Sequence, residues 1–198
     1  MSKKEELETK IIEASILEFL SRGLDSGSME NIASVAEVSK RTLYKYYPNK
    51  ESIFEAIVEK LLSSVCGFIP VAYSKTESLE KQLTKIIDHK AELMTSAEYM
   101  NISRLVLSEV MKGRKLEPKH LERFYVSELH FIKWIDAGKK DGKITSKQSS
   151  DLIANQFHSI IKGQLFYPVI FGIKELSKTD VKTAKKIGLD FFLNSFCR

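Results

Sequence analysis

Four cations fall within residues 39–50, and no acidic residue lies among them. Guanidinium and ammonium groups bind phosphate oxygens and the edges of guanine, and phenol hydroxyls donate to phosphates. The types and the spacing of these residues therefore predict a surface that binds a polyanion. The residues of this cationic run that are expected to expose such groups are Lys40, Arg41, Tyr44, Lys45, Tyr46 and Lys50.

The overall charge does not by itself point to a polyanion. The formal net charge is +5 over 198 residues, but residues 1–66 contain nine Lys or Arg against eleven Asp or Glu. The remaining residues carry 22 against 15, so the bulk basicity lies outside the cationic run. Because salt screens exposed charges beyond about 8 Å, the prediction depends on the local run alone.

Apolar residues recur with helical spacing along the whole chain, and no stretch alternates as a β-strand would. This pattern predicts an all-α protein of about nine helices joined by short polar loops. Ser28, Ser39 and Asn49 each precede a helical segment as N-cap residues, and Gly23 is placed to end the first helix. Pro168 is expected to end or kink the eighth helix.

The cationic run is predicted to form one of two consecutive short helices. Leu43 and Tyr47 lie four residues apart, so they share a face that packs against Ile32, Val35 and Val38. The other positions then point outward. A short helix that crosses another after a tight turn, with donors near its N-terminus, is how a helix-turn-helix enters the major groove. Double-stranded DNA is therefore the predicted partner.

The segment SMENIASVAEVSKRTLYKYYPNKESIFEAIVEK resembles the helix-turn-helix of the TetR family of bacterial transcriptional regulators. The resemblance is most specific in the core VSKxTLYxYF.xKExL, which spans the turn, the recognition helix and the start of the fourth helix. Two positions depart from that pattern. Glu37 stands where the turn usually has Gly and lacks glycine's freedom at positive φ, and Tyr47 stands where Phe is usual.

Transferred by position, the resemblance implies which residues contact DNA. Base contacts are implied for Lys40, Arg41, Thr42 and Lys45, because Arg and Lys read guanine and Thr can pack on thymine. Phosphate contacts are implied for Ser28, Ser39, Tyr44, Tyr46 and Lys50. The two serines also begin helices, whose N-terminal N–H groups suit a phosphate.

The resemblance also implies two domains and a homodimer. Residues 1–48 would form the DNA-binding domain and residues 49–198 a regulatory and dimerisation domain, with the fourth helix linking the two. The last two helices would pair with their symmetry mates as a four-helix bundle, because they carry more apolar surface than one core needs. The residues expected at this interface are Phe157, Ile160, Ile161, Gln164, Ile187, Phe191 and Phe192.

Such a protein would be a repressor that a small hydrophobic effector releases from a palindromic operator. The residues expected to line the effector pocket are Leu105, Glu109, Phe131, Trp134 and Phe157. A pocket of about 300 Å³ or more between the fourth and eighth helices would favour this sensor. A filled core would favour a DNA-bound adaptor that needs no ligand and binds a protein partner. An enzyme carrying the same N-terminal fold is a third hypothesis.

Catalysis, metals, cofactors and membranes have no signature in the sequence. No G-x-S-x-G, P-loop or paired-carboxylate pattern occurs, and the four histidines have no i, i+4 partner for a metal. Cys66 and Cys197 have no metal or redox spacing and are expected to be reduced thiols. No stretch approaches roughly 18 unbroken apolar residues, and the N-terminus lacks an apolar leader. We therefore expect no cofactor, no membrane association and a cytoplasmic location.

Overall fold

The computed structural model describes residues 2–66 and 72–197, and every regular element in that part of the chain is a helix. The all-α prediction is confirmed. The helices are α1 (Lys3–Arg22), α2 (Met29–Val35), α3 (Lys40–Tyr46), α4 (Lys50–Cys66), α5 (Leu79–Thr95), α6 (Ala97–Met111), α7 (Pro118–Lys140), α8 (Ser150–Leu165), α9 (Tyr167–Ile170) and α10 (Lys178–Phe196).

The predicted helix caps are confirmed. At each of three N-termini the capping side-chain oxygen accepts the backbone N–H of the residue three positions later, which the first helical turn leaves unpaired. The pairs are Ser28 with Asn31 at 3.2 Å, Ser39 with Thr42 at 3.0 Å, and Asn49 with Ser52 at 2.8 Å. Gly23 ends α1 at φ 77°, and its N–H donates to the carbonyl of Phe19 at 2.9 Å.

Pro168 interrupts the eighth helix, as the sequence predicts. Helix α8 ends at Leu165, and a separate four-residue helix, α9, contains Pro168 near its start. Proline has no N–H for the ladder of a continuing helix but fits the first turn of a new one. The extra turn raises the number of helices in the described residues to ten. The predicted end of α4 at Gly67 and Pro70 lies outside the described residues.

The helices divide into two compact units. The first comprises Met1–Ser63 and Asn101–His120, and the second comprises Ser64–Met100 and Leu121–Arg198. Most of α4 therefore groups with α1, α2 and α3. The functional division at residue 48 stays a prediction.

The first unit buries one apolar face from each of its N-terminal helices. Helix α2 packs against both α1 and α3. Phe19 of α1, Ile32 of α2, Leu43 of α3 and Ile57 of α4 are all at most 1% exposed. Because α3 is only seven residues long, the burial of Leu43 determines which of its faces points to solvent.

Val35 does not lie on the packing face where the sequence places it. Its side chain is 53% exposed, and with Leu17 of α1 it lines an open surface concavity of about 260 Å³. Val35 is the last residue of α2, and its neighbour Ala36, four residues after Ile32, is buried in its place. Tyr47 is half-buried as expected, and burial raises the pKa of its hydroxyl.

The second unit is built on α5, α8 and α10, which pack against one another. Phe157 of α8 and Phe192 of α10 are 0% exposed, and their rings meet edge to face with centroids 5.6 Å apart. A Cβ on Gly188 of α10 would collide with the side chain of Ile161, so glycine allows α10 to approach α8 closely. The result is one apolar core, to which α5 contributes aliphatic side chains and α8 and α10 contribute aromatic rings.

No helix in the described residues has an apolar stretch of the length needed to cross a bilayer. Cys197 is a free, half-buried thiol, and burial raises its pKa to about 11. A thiol with so high a pKa stays protonated and unreactive near neutral pH. The side chain of Cys66 lies outside the described residues.

Candidate nucleic-acid interface

Helix α3 presents the cationic run to solvent. Leu43 is 0% exposed and anchors the helix, while Lys40, Arg41 and Lys45 are exposed. Tyr44 is 46% exposed, whereas Thr42 and Tyr46 are partly buried. Side chains that the sequence predicts to contact bases therefore emerge from one short helix, most of them at its N-terminal end. Their contacts with DNA stay predictions.

The turn that orients α3 contains a strained residue. Val38 N–H donates to the carbonyl of Ala33 at 2.9 Å, and Glu37 N–H donates to the carbonyl of Ser34 at 3.2 Å. This pair of hydrogen bonds commonly ends a helix on a glycine in the left-handed region. Glu37 adopts that conformation with φ 57°. The turn thus takes the shape glycine would give it, and the Glu37 backbone bears the steric cost.

Lys40 forms an ion pair with a carboxylate on the preceding helix. Its Nζ lies 3.2 Å from Glu30 Oε1 of α2, and both side chains are more than half exposed. A hydrogen bond from its own backbone amide and the ammonium of Lys40 lower the pKa of Glu30. The pair is therefore ionised near neutral pH. To contact a base, Lys40 must leave Glu30, which costs little because exposed ion pairs are weak.

Lys50 stabilises the loop between α1 and α2. Its ammonium donates to the backbone carbonyl of Asp25. The Asp25 carboxylate accepts a hydrogen bond from Arg114 Nη2 at 3.1 Å, and the Arg114 guanidinium lies 5.6 Å from the centroid of Phe54. The residue expected to contact a phosphate thus already has a role within the protein. The sequence could not predict the contact between Lys50 and Asp25, because the two residues are 25 positions apart.

Glu18 is a residue that the sequence analysis missed. It is 5% exposed, and its carboxylate accepts hydrogen bonds from the backbone N–H of Ser28 at 2.9 Å and from the amide of Asn31. Burial alone would raise the pKa of Glu18, but these hydrogen bonds and the charge of Arg22 lower it overall. The carboxylate therefore stays ionised and fixes the start of α2. Glu18 lies seven residues after the buried Ile11, on the same face of α1, and this spacing was the available signal.

Both the backbone N–H and the hydroxyl of Ser28 already form hydrogen bonds within the protein. Its N–H donates to Glu18, and its hydroxyl oxygen caps α2 by accepting the Asn31 N–H. Ser39 is exposed, and its hydroxyl lies 2.8 Å from that of Thr42. Both serine hydroxyls cap a helix, but Ser39 is exposed whereas Ser28 is partly buried, so Ser39 is the more available to a phosphate.

His120 is a second residue that the sequence analysis missed. It is 0% exposed, and its Nε2 lies 3.1 Å from Glu59 Oε1 and 3.3 Å from Glu55 Oε2. Both carboxylates project from α4, so the contact ties α4 to the first turn of α7 within the first unit. Within the described residues, no group of three or more His, Cys, Asp or Glu side chains is arranged to hold a metal.

The residues expected to line an effector pocket fall into two groups. In the second unit, Phe131 lies 5.8 Å from Trp134 and 5.0 Å from Phe157 between ring centroids, so the three aromatic residues form one cluster. In the first unit, Leu105 and Glu109 are both 1% exposed, and the Glu109 carboxylate pairs with Lys112 and Arg114. The shared pocket stays a prediction.

The residues expected at the dimer interface also divide into two groups. Phe157, Ile161 and Phe192 are 0% exposed in the single chain. They fill the core between α5, α8 and α10 and have no surface left to bury against a partner, so their assignment to an interface needs correction. Ile160, Gln164, Ile187 and Phe191 retain exposed surface on α8 and α10. Leu152 and Tyr167, 46% and 44% exposed, extend this outward surface.

Fold and site together define a class of protein: an all-helical chain whose helix-turn-helix presents cations from its second helix. The family model described as bacterial regulatory proteins, tetR family, matches residues 11–57. The model for the C-terminal domain of AefR-like transcriptional repressors matches residues 81–198. The chain belongs to the TetR family of DNA-binding transcriptional regulators, a family that is generally non-enzymatic.

The proteins that are similar to this chain include a transcriptional repressor and a nucleoid occlusion factor. The chain is 26% identical over 145 residues to the HTH-type transcriptional repressor SCO4008 of Streptomyces coelicolor, covering 71% of this chain and 69% of that protein. It is 25% identical over 150 residues to the nucleoid occlusion factor SlmA of Haemophilus ducreyi, covering 72% and 70%. A TetR family regulator from Pseudomonas syringae has a similar crystal structure, with a TM-score of 0.76 and 28% identity over 100% and 99% of the two chains.

Proposed function

We propose that the protein is a homodimeric repressor that binds a palindromic operator and leaves it when a small effector binds the second unit. One observation carries the proposal: α3 buries Leu43 completely while Arg41 and Lys45 remain exposed beside it. A recognition helix needs this arrangement, because it must be fixed by its apolar face and free at its basic tip.

The proposed readout divides the exposed residues by chemistry. Arg41 and Lys45 have the donors that read guanine, and Lys40 joins them once it leaves Glu30. Tyr44 and Ser39 supply exposed hydroxyls for phosphates. Lys50 donates one ammonium N–H to the carbonyl of Asp25 and keeps two N–H groups for a phosphate.

The outward apolar surface of α8 and α10 supports the proposed homodimer. Ile160 and Ile187 lie on the two helices and are not buried by their own chain. In a two-fold dimer the same surface serves both protomers, so two adjacent helices give a four-helix interface. Two recognition helices then meet major grooves about 34 to 36 Å apart.

An effector acts only through its different affinity for the bound and released conformations. A hundredfold loss of operator affinity corresponds to about 2.7 kcal/mol. Burial of one small apolar ligand can supply that difference. We place the effector in the second unit because Phe131, Trp134 and Phe157 form an aromatic cluster there, and its binding would require these packed rings to separate.

Arg41→Ala tests the proposed readout on operators recovered by selecting bound fragments from the source genome. We expect a loss of about 1 to 3 kcal/mol on the cognate site with relaxed preference at one base pair, measured by competition binding. Lys10→Ala removes an exposed cation from α1 and is the matched control. Equal losses on cognate and random DNA would reassign Arg41 to a phosphate. Recovered sites that lack inverted repeats would contradict the homodimer.

A DNA-bound adaptor is the second candidate function. It is favoured by a stripe of exposed apolar residues on α7, a surface suited to a protein partner. The stripe consists of Leu121, Tyr125, Val126 and Leu129, which are 48%, 74%, 50% and 45% exposed. The name of the relative SlmA, a nucleoid occlusion factor, also agrees with a role other than repression. Operator affinity that no small molecule changes would support the adaptor.

A further inference from the structure

A charged cluster in the second unit has no part in the proposed DNA contacts or in helix capping. It consists of Lys90 of α5, Glu128 of α7, and His158 and Lys162 of α8. The cluster borders the ring of Phe131: Lys90 Nζ lies 6.0 Å from the ring centroid, and the His158 ring stacks on it at 5.3 Å. Charges beside an aromatic core lose part of their hydration, which is costly unless an opposite charge or a hydrogen bond replaces it.

His158 offers a buried hydrogen-bond acceptor. Its Nδ1 lies 2.5 Å from Glu128 Oε2, and the carboxylate can only accept, so Nδ1 carries the proton. Burial lowers the pKa of His158 despite the nearby carboxylate, so the ring is neutral near pH 7. The bare Nε2 is buried and has no hydrogen-bond partner in the described residues, and the residue is 7% exposed. A ligand hydroxyl would satisfy it.

The cluster also has a surplus positive charge. Two ammonium groups face one carboxylate, and within the described residues neither Lys90 nor Lys162 forms an ion pair with an acid. Burial lowers the pKa of Lys90 to about 8, and the charge of Lys162 lowers it further while Glu128 opposes the change. One negative charge from a ligand would balance the cluster.

The surroundings favour a flat, aromatic ligand. Phe131 stacks nearly parallel to Trp134, and Phe157 lies 5.9 Å from His158 between ring centroids. Aromatic rings add about 0.5 to 1.5 kcal/mol per favourable ring pair beyond the area that they bury. These rings already pack on one another and are at most 7% exposed, so a ligand ring would have to insert among them. A ring with one carboxylate and one hydroxyl matches the charge and the acceptor.

We propose that the charged cluster binds a small aromatic hydroxy acid, whose carboxylate pairs with Lys90 and Lys162 and whose hydroxyl donates to His158 Nε2. The inference rests on the proposed function in one respect: the bound acid would be the effector. The site itself is defined by the cluster and can be tested without DNA.

The test uses the full-length protein and the three isomers of hydroxybenzoate as probes. Binding is measured by calorimetry and compared with benzoate, which lacks the hydroxyl, and hydroxybenzamide, which lacks the charge. We expect at least one isomer to bind, and both analogues to bind about tenfold more weakly or worse, the loss of one charged or buried hydrogen bond.

Two substitutions test the two proposed contacts: Lys90→Met tests the contact with the ligand carboxylate, and His158→Phe tests the contact with the ligand hydroxyl. Lys90→Met should reduce the preference for the acid over the amide, because only Lys162 then faces the carboxylate. His158→Phe should remove the preference for hydroxybenzoate over benzoate. Lys182→Met, which removes an exposed ammonium on α10, should change neither preference. Because Lys90→Met replaces a desolvated cation with an apolar side chain, it remains informative if His158→Phe fails to fold.

The outcomes separate this inference from the proposed function. Absence of binding by every isomer overturns the site, and so does equal binding of acid and amide. Binding that depends on Lys90 but leaves operator affinity unchanged confirms the site and contradicts ligand-responsive repression.

Discussion

The two ends of the chain are stabilised by different chemistry. The start of α2 and the loop before it are held by directional polar contacts: Glu18 accepts the N–H of Ser28, and Lys50 and Arg114 both bind Asp25. The second unit is held by rings, with Phe192 in contact with Phe131, Trp134, Phe157 and Phe196 at centroid distances of 5.2 to 6.3 Å.

This difference between polar contacts around α2 and aromatic contacts in the second unit suits the two regions to different parts of the proposed function. Polar contacts fix the direction in which α2 and α3 point while burying little apolar area, so they specify orientation more than stability. Buried rings remove a large apolar area from water, so they contribute more to stability than a single polar contact does. We therefore expect core substitutions in the second unit to affect stability most, and substitutions at the polar contacts to affect it less.

Phe192→Ala should have the largest effect. The ring is 0% exposed and contacts four other aromatic residues, so its removal should lower the free energy of unfolding by about 3 to 5 kcal/mol. Chemical denaturation of the full-length protein measures the change. Phe171→Ala is the matched control, because that ring is 69% exposed, and it should change stability by less than about 0.5 kcal/mol. Similar losses at both positions would contradict the aromatic core.

Glu18→Ala should have an intermediate effect. It leaves the Ser28 N–H and the Asn31 amide without their charged acceptor, which should cost about 1.5 to 3 kcal/mol. Denaturation of the variant measures this cost, with the exposed Glu13→Ala on α1 as the control. A loss no larger than that of Glu13→Ala would show that the carboxylate does not hold α2.

The contribution of Glu18 should also depend on pH in a defined direction. Its pKa lies below the ordinary carboxyl value of 4.5 in the folded protein. A lowered pKa stabilises the fold when the carboxyl is ionised, so the contribution is complete above pH 4.5 and is lost as the pH falls through the folded value. The stability difference between the wild type and Glu18→Ala should shrink over that acidic range.

Local chemistry explains which features the sequence predicts correctly. The caps at Ser39 and Asn49, the end of α1 at Gly23 and the break at Pro168 each depend on a few neighbouring residues. Likewise, the spacing of Leu43 alone places it inward and the cations outward. Helix caps, helix ends and the buried side of a short helix can therefore be predicted from the local sequence alone.

Contacts between distant residues explain what the sequence could not provide. The hydrogen bond from Lys50 to Asp25 and the contact of His120 with Glu55 and Glu59 join segments that no periodicity relates. The sequence also does not distinguish the apolar residues of α8 and α10 that are buried from those that are exposed. The packing of α5 against both helices and the rings of Phe131 and Trp134 on α7 bury Phe157, Ile161 and Phe192 and leave the others outside.

Glu37→Gly should have the smallest effect and the opposite sign. A non-glycine residue at φ 57° carries a steric cost of about 1 to 2 kcal/mol, and glycine's greater unfolded entropy offsets roughly half of it. We therefore expect a gain of about 0.5 to 1 kcal/mol in the free energy of unfolding, with operator affinity unchanged or improved. Gly142→Glu is the reverse experiment: φ is 74° there and nothing lies within 4 Å of an added Cβ, so only the backbone cost enters. Opposite shifts of similar size would assign the effect to the backbone, whereas a loss from Glu37→Gly would mean that the Glu37 side chain itself supports the turn.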